Sequence, residues 1–359
     1  MWAWVASIVC SVALGWGIVP PNRAGQIWTW VSCGATALAV KWLWENSNLA
    51  CRSRIIEPSK ERIVILGAST ADGIGAAIAR QCIARGSSRI VLVARRKSAL
   101  EQVKLAIVSE QTDPEAQARA QCIRTIAADC TVEEDVHALQ ESLMHQLGGI
   151  DTLYLVFGRL WSSSFLRAAY SDPVFGQTEF TSLEGLRHVK SSVQAMSDCN
   201  LHGTALVLAA LIPCMQVTSN APFVSTIGSL ASLVPAPTRS VYCATKSAQQ
   251  MLIESVALEC ETQAQMPGRA LVQFSVLAPS TVSTSFRESS GVEVRASDLR
   301  SANQLRAQDV AARAVFDVDH RNTGVNPMPW KYFLVWVLRP LMYVRYLSLI
   351  HISEPTRLR

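Results

Sequence analysis

From residue 62 onward, the chain alternates short apolar runs with longer segments in which apolar residues recur at helical spacing. The apolar runs predict strands at 62–68, 89–94, 123–127, 153–157, 223–227 and 271–277. The segments between them predict helices at 75–85, 98–109, 132–147, 183–217 and 241–261. Strands that are apolar at nearly every position are buried on both faces, so this alternation predicts an α/β fold with a parallel, doubly wound sheet.

The start of the chain is strongly apolar. Residues 1–19 carry no charged side chain, and as a helix they would be about 28 Å long, close to the ~30 Å of a bilayer core. A second apolar stretch at 27–44 is interrupted only by Lys41. We therefore predict a membrane anchor of two helices in residues 1–56. No Lys or Arg precedes the first stretch, which favours an uncleaved hairpin over a signal peptide followed by one span; a buried or interfacial helix pair is the third alternative.

The end of the chain is aromatic. Residues 328–350 include Lys331, Arg339 and Arg345 spaced among apolar side chains, and Pro340 would kink a helix there. This pattern predicts a membrane-associated helix or a lip at a substrate entrance, with a helix packed on the domain or a third span as alternatives.

The final residues resemble a translated sequencing-adapter fragment, and we treat 351–359 as a non-native tail. The α/β domain is then expected at 57–327.

Composition narrows the function classes. Apolar residues make up 49% and charged residues 17% of the chain, and the charged share lies below the ~25% of soluble domains, which favours membrane contact. The net charge of +5 is mild, and no basic block suits a phosphate backbone, so no nucleic-acid partner is expected. The ten cysteines are scattered without zinc-site spacing. They are interpreted as reduced thiols, and no metal site is predicted.

A glycine-rich turn follows the first predicted strand and opens a helix. Gly67, Gly73 and Gly75 would let the backbone approach a pyrophosphate, which the helix N-terminus also attracts. The second strand ends at Arg95 and Arg96, where NAD-dependent enzymes usually carry a carboxylate for the ribose. Two arginines suit the 2′-phosphate of NADP instead. Asp72, within the turn, argues against that choice.

Tyr242 and Lys246 are four residues apart, so on a helix their side chains share one face. A phenol has a pKa near ~10, and a nearby cation favours its ionised form, which brings it closer to the working range of a general acid/base. Ser229 follows a predicted strand, and Asn200 lies in the middle of a predicted helix. The four residues together predict a proton-transfer site.

These features resemble the short-chain dehydrogenase/reductase family, in the family's order, over roughly residues 62–315, and most closely its membrane-anchored, hydroxysteroid-dehydrogenase-like members. The resemblance implies a Rossmann fold. It implies that Tyr242 exchanges a proton with the substrate and that Lys246 binds the nicotinamide ribose and acidifies the tyrosine. Ser229 would hydrogen-bond the substrate oxygen, and Asn200 would hold a water that links Lys246 to solvent.

The resemblance also implies the cofactor-binding residues Gly67, Ser69, Thr70, Gly73, Ile74, Gly75, Arg95, Arg96, Asp129, Tyr242, Lys246, Pro279 and Thr284. Three departures stand out. The glycine turn is two residues longer than usual, the fourth strand ends in Phe157-Gly158 where asparagines are usual, and Ser280 replaces a glycine. None of these changes removes a reacting group.

The expected function is that of an NADP(H)-dependent oxidoreductase. It would interconvert a carbonyl and a secondary alcohol on a lipophilic substrate such as a steroid, retinoid, fatty or sphingoid ketone. We expect the endoplasmic reticulum membrane with the domain in the cytosol, because basic residues are denser after the second apolar stretch, and we expect a homodimer. The alternatives are a catalytically weak NADP(H)-binding scaffold or sensor and a structural membrane protein.

Overall fold

A computed structural model describes residues 51–168, 181–285 and 304–333. The two predicted anchor helices, most of the aromatic C-terminal segment and the tail lie outside the described residues. The account below therefore concerns the α/β domain, which the sequence placed at 57–327, and the short segments that flank it.

Seven parallel strands form one sheet in the described part of the chain, in the order β3-β2-β1-β4-β5-β6-β9. A separate two-stranded ribbon pairs β7 with β8. The strands are β1 (Arg62–Leu66), β2 (Arg89–Ala94), β3 (Arg124–Ala127), β4 (Thr152–Leu155), β5 (Phe223–Ile227), β6 (Gln273–Pro279), β7 (Val282–Ser283), β8 (Leu305–Arg306) and β9 (Gly324–Met328). The order reverses between β1 and β4, which opens a crevice at the carboxyl edge of the sheet, the usual place for a ligand.

Helices cover both faces of the sheet. They are α1 (Ile74–Ala84), α2 (Lys97–Ser109), α3 (Pro114–Gln121), α4 (Glu133–Leu147), α5 (Phe165–Ala168), α6 (Leu183–Thr218), α7 (Ser240–Gln263) and α8 (Ala307–Asp319). One core cluster joins the sheet to α1, α2, α3 and α8, and a second joins it to α4, α6 and α7. The predicted doubly wound α/β fold is confirmed. The sequence analysis missed α3, α5, α8, β7, β8 and β9.

A buried ionic network lies at the amino-terminal edge of the sheet. The carboxylate of Glu61, 1% exposed, accepts hydrogen bonds from Arg52, Arg85 and Thr152. The Arg52 guanidinium also donates to the carbonyl oxygen of Ala221 at 2.8 Å. Arg52 was assigned to the anchor segment from the sequence, yet it packs inside the domain, so the chain enters the domain at this edge.

Among the described residues, α6 is the helix long and apolar enough to cross a bilayer. Its C-terminal half packs against the sheet through Val207, Leu211 and Met215, each fully buried. This packing is that of a core helix. It lends at most weak support to membrane insertion.

Candidate active site

The glycine turn brings the backbone of three segments into close approach. Gly67 follows β1 with φ +100°, and a Cβ there would collide with the backbone nitrogen of Phe157. A Cβ on Gly75 would lie 2.7 Å from the carbonyl oxygen of Gly67. Gly73 is the N-cap of α1, which begins at Ile74. The turn thus keeps the backbone close at Gly67 and Gly75 in front of the N-terminus of α1, which fits a dinucleotide pyrophosphate.

The glycine turn, which is two residues longer than usual, is hydrogen-bonded to the segment that follows β7. Asp72 accepts hydrogen bonds from the backbone nitrogen and the hydroxyl of Ser285, both at 2.7 Å. Thr284 precedes that serine, so the structure brings the segment that carries Thr284 against the glycine turn. Ser69 and Thr70 are half-buried on the same turn. The sequence did not predict the Asp72–Ser285 contact, which engages the carboxylate that had argued against NADP.

The expected adenosine end lies at the carboxyl ends of β2 and β3. The Arg95 side chain is 76% exposed, and its guanidinium is 3.9 Å from a carboxylate oxygen of Asp129. Asp129 also accepts hydrogen bonds from the nitrogen (3.0 Å) and the hydroxyl (2.8 Å) of Thr131. Arg96 is exposed at the N-cap position of α2. Two cations and one carboxylate therefore share this end of the crevice.

Tyr242 and Lys246 lie on α7, 9% and 4% exposed. The Lys246 Nζ donates to Oε1 of Gln249 at 2.9 Å and to the Ile227 carbonyl at 3.4 Å. Burial lowers the pKa of Lys246 to about 8, because desolvation disfavours the charged form. The Lys246 ammonium, one helical turn from the Tyr242 phenol, therefore loses its proton at a lower pH than an exposed lysine does.

Ser229 follows β5 and caps a short 3-10 helix, where its side chain accepts a hydrogen bond from the nitrogen of Ala231 at 3.1 Å. Ala231 belongs to the same buried cluster as Tyr242, together with Leu160 and Met196. The structure therefore places Ser229 two residues from a side chain that packs with the phenol. The chain segments of the predicted Ser229–Tyr242 pair do meet.

Asn200 is fully buried in a π-helical turn, Asp198–His202, inside α6. Its Oδ1 accepts from the nitrogen of Arg159 at 2.8 Å, and its Nδ2 donates to the Arg159 carbonyl and to Thr245 Oγ1, both at 3.0 Å. Asn200 thus joins the segment after β4 to α7 by hydrogen bonds. These bonds connect the two elements at the place where the fourth strand lacks the usual asparagines. The π turn interrupts α6 where this side chain is needed, a common use of such turns.

Gly158 is also a site residue. The sequence analysis noted it only because Phe157-Gly158 stands where the family usually has asparagines. A Cβ at this position would lie 3.3 Å from Asn200 Oδ1 and 3.4 Å from Lys246 Nζ. The backbone after β4 therefore comes close to both polar groups. Its signal in the sequence was the glycine itself, directly after a buried strand.

The remaining predicted residues lie at the end of β6. Pro279 is opposite Met328 of β9, and the Ser280 nitrogen donates to the Met328 carbonyl at 2.8 Å. Thr284 is half-buried beyond this point. The predicted residues thus line one edge of the sheet, with two exposed arginines at one end and a buried phenol–ammonium pair at the other. Such an arrangement can hold a dinucleotide and transfer a proton beside it.

Comparisons with known proteins agree with this fold. The model of a family described as short chain dehydrogenase matches residues 61–294. No curated protein matched the chain in sequence. A short-chain dehydrogenase/reductase from Burkholderia phymatum in complex with NAD is similar in fold, with a TM-score of 0.59 and 17% identity, over 83% of this chain and 97% of that one. An alcohol dehydrogenase from the archaeon Thermococcus sibiricus, complexed with 5-hydroxy-NADP, gives 0.54 and 20%, over 75% and 94%.

Proposed function

The chain belongs to the short-chain dehydrogenase family, and from that premise we propose that it interconverts a carbonyl and a secondary alcohol with NADP(H), on a lipophilic substrate. The family implies an oxidoreductase; the cofactor and the substrate class are our inference. One observation carries the proposal. A buried phenol–ammonium pair, Tyr242 and Lys246, lies at the same sheet edge as a glycine turn in which a Cβ at Gly67 or Gly75 would collide with neighbouring backbone.

The chain's own residues would handle the proton and the charge. Tyr242 would give a proton to the substrate oxygen during reduction and take it back during oxidation. The Lys246 ammonium favours the ionised phenol by its charge. Ser229 would donate to the oxygen on which charge develops, and Asn200 holds the end of β4 against α7. The nicotinamide, when bound, would supply or accept the hydride.

The functional test is NADPH oxidation by the detergent-solubilised full-length protein with a panel of ketones. Turnover that depends on both ketone and NADPH supports the proposal. Tight NADPH binding without turnover on any ketone or alcohol would favour the cofactor-binding scaffold instead. An absence of dinucleotide binding would contradict both functions.

NADP is proposed over NAD on the strength of the two arginines after β2. Arg95 is 76% exposed and only loosely paired with Asp129, so its guanidinium could turn to a 2′-phosphate at little cost. A bound phosphate would gain charge-assisted hydrogen bonds from such a pair. One structural relative is complexed with NAD and the other with an NADP derivative, which leaves the choice to the residues of this chain.

Replacing Arg95 and Arg96 together by alanine should raise the Kd for NADPH about 10- to 100-fold. The estimate follows from the strength of hydrogen bonds to charged groups. The Kd for NADH should change little, because NADH has no 2′-phosphate. Fluorescence titration of both cofactors measures the effect, and Arg54→Ala, an exposed arginine at the opposite edge, is the control. Equal losses for NADPH and NADH would contradict a phosphate-binding role.

The aromatic C-terminal segment supports a lipophilic substrate. It starts directly after β9, beside Pro279 and Ser280, and its first aromatic residue, Trp330, is 71% exposed. The segment therefore begins at the carboxyl edge, where the substrate would enter. The N-terminal anchor joins the domain at the opposite edge, through Arg52. We propose that the described start of this segment, residues 328–333, lies at the mouth of the site.

The proposed location is the endoplasmic reticulum membrane, with the domain in the cytosol. The eight described cysteines are all free thiols, although several are only half-buried. Unpaired, accessible thiols suit a reducing compartment. Protease protection of the full-length protein in microsomes tests this orientation. Complete digestion of the domain without detergent supports it, and protection contradicts it.

We also propose a homodimer through α6 and α7. These helices, together with Phe165 of α5, enclose an apolar groove of about 410 Å³ that includes Val193 and Leu201. Ala244 is exposed in this groove, so a partner helix could approach closely. Ala244→Glu should convert the dimer to a monomer in analytical ultracentrifugation, whereas Leu105→Glu, on α2 and 66% exposed, should not. A wild-type protein that sediments as a monomer contradicts the dimer.

A further inference from the structure

We propose that Gln249 is a positioning residue for Lys246, one that fixes the ammonium in the site through a buried hydrogen-bonded chain to α6. The inference rests on the proposed function and adds a residue to its machinery. Gln249 is 2% exposed and lies on α7, seven residues after Tyr242. Its Oε1 accepts from Lys246 Nζ at 2.9 Å. Its Nε2 donates to Oγ1 of Thr204 at 2.8 Å.

The orientation of the Gln249 amide is determined by its neighbours. The Thr204 hydroxyl donates its only proton to the Asn200 carbonyl oxygen at 2.9 Å. Its oxygen can therefore only accept a hydrogen bond from Gln249, which requires the NH₂ end of that amide. The oxygen end must then face Lys246, whose ammonium is donor-only. A flipped amide would leave both contacts unmade, so the network selects one arrangement.

The chain of contacts runs from Lys246 through Gln249 and Thr204 to the backbone of Asn200. It ends in the π-helical turn, Asp198–His202, that also carries the Asn200 side chain. Beside the site, the two helices that bear the proposed reactive groups are thus joined by this chain as well as by the Asn200–Thr245 hydrogen bond. The position of Nζ therefore depends on α6 as well as on α7.

Gln249 also supports the charge of Lys246. Burial works against the ammonium, and a carbonyl-type oxygen at 2.9 Å offsets part of that cost. The Ile227 carbonyl is the longer contact, at 3.4 Å. The other titratable groups that face this region are Tyr242, one turn earlier on α7, and Cys199 of α6, whose own pKa burial raises. The charges of Arg95, Asp129 and Arg159 act on Cys199 from the neighbouring loops.

Loss of the Gln249 oxygen should make the ammonium less stable. Lys246 would then lose its proton at lower pH, and less positive charge would remain to favour the ionised phenol of Tyr242. Alcohol oxidation needs that ionised phenol, so its rate should begin to rise at a higher pH. The expected displacement of this rising limb is roughly one pH unit.

The test uses Gln249→Met, which keeps the length and approximate volume of the side chain, and Thr204→Val, which removes the anchor of the amide. The control is Gln216→Met. Gln216 is also buried, 1% exposed, but bonds to Gln263 and Arg269 at the far end of α6. The first measurement is the pH profile of kcat/KM for alcohol oxidation. The second is trace acetylation of Lys246 by acetic anhydride in the cofactor-free protein, followed by mass spectrometry across pH.

In the wild type, Lys246 acetylation should have its midpoint near pH 8. Gln249→Met and Thr204→Val should lower that midpoint and move the rising limb of the oxidation profile to higher pH. Gln216→Met should change neither. An unchanged midpoint and limb in either folded variant overturns the inference. A wild type without turnover overturns the proposed function instead, and the acetylation measurement still decides the role of Gln249.

Discussion

Replacing Tyr242 by phenylalanine should lower kcat/KM about 10²- to 10⁴-fold, the usual contribution of a positioned general acid/base. The substitution removes only the phenolic hydroxyl, so the buried cluster with Leu160, Met196 and Ala231 keeps its packing. Binding of NADPH should weaken far less than kcat/KM falls, because the glycine turn and the arginines are untouched. Steady-state kinetics with the most active ketone, together with a cofactor titration, measure both quantities.

Tyr154→Phe is the matched control for this loss. Tyr154 of β4 is also buried, 0% exposed, but packs in the cluster on the α1 side of the sheet. Its hydroxyl is not part of the proposed proton transfer, so the variant should retain the activity of the wild type. Comparable turnover by the Tyr242→Phe protein and the wild type would remove Tyr242 from the mechanism.

Replacing Glu61 by glutamine should destabilise the domain by about 3–5 kcal/mol, the usual cost of removing one partner from a buried ion pair. Glu61 accepts from both Arg52 and Arg85, whose side chains are 2% and 14% exposed. The substitution removes the carboxylate that the two guanidinium groups share, while Arg85 keeps its ion pair with Asp319 and Arg52 keeps its hydrogen bonds to the carbonyls of Ala221 and Asp151. Urea denaturation followed by tryptophan fluorescence measures the change in the free energy of unfolding.

Glu115→Gln is the control for this substitution. Glu115 lies 3.6 Å from Arg119, but its side chain is 86% exposed, so water and salt weaken that pair. Its free energy of unfolding should stay close to that of the wild type. If Glu61→Gln proved equally benign, the buried network would not hold the N-terminal segment in place.

The hydrophobic pattern predicted the central fold well where strands are buried on both faces. The strands predicted at 89–94 and 223–227 match β2 and β5 without error. The missed elements lack that pattern. β9 reads Gly-Val-Asn-Pro-Met and lies at the edge of the sheet, where proline is tolerated. In α8 the buried face consists of three alanines, three valines and the ion-paired Asp317; its apolar residues have helical spacing that the sequence analysis did not recognise.

Within the site, the order of residues along the chain was enough to select the candidate catalytic residues. The contacts that these residues make could not be predicted from the sequence. Asn200, Ser229, Tyr242 and Lys246 were selected from spacing and from a family resemblance, and their catalytic roles stay predictions. The pairing of Asp72 with Ser285 and the chain through Gln249 depend on the packing of separate elements. Polar side chains of this kind carry no periodic signal, so only a three-dimensional arrangement identifies their partners.

The central claim is that a dinucleotide lies along the carboxyl edge of the sheet with its nicotinamide facing Tyr242. A crystal structure of the full-length protein with bound NADPH tests it most directly. The account predicts the pyrophosphate over the turn between Gly67 and Gly75, the 2′-phosphate beside Arg95, and the nicotinamide ring between Ser229 and Tyr242. A cofactor bound elsewhere, or a nicotinamide turned away from the phenol, would contradict it.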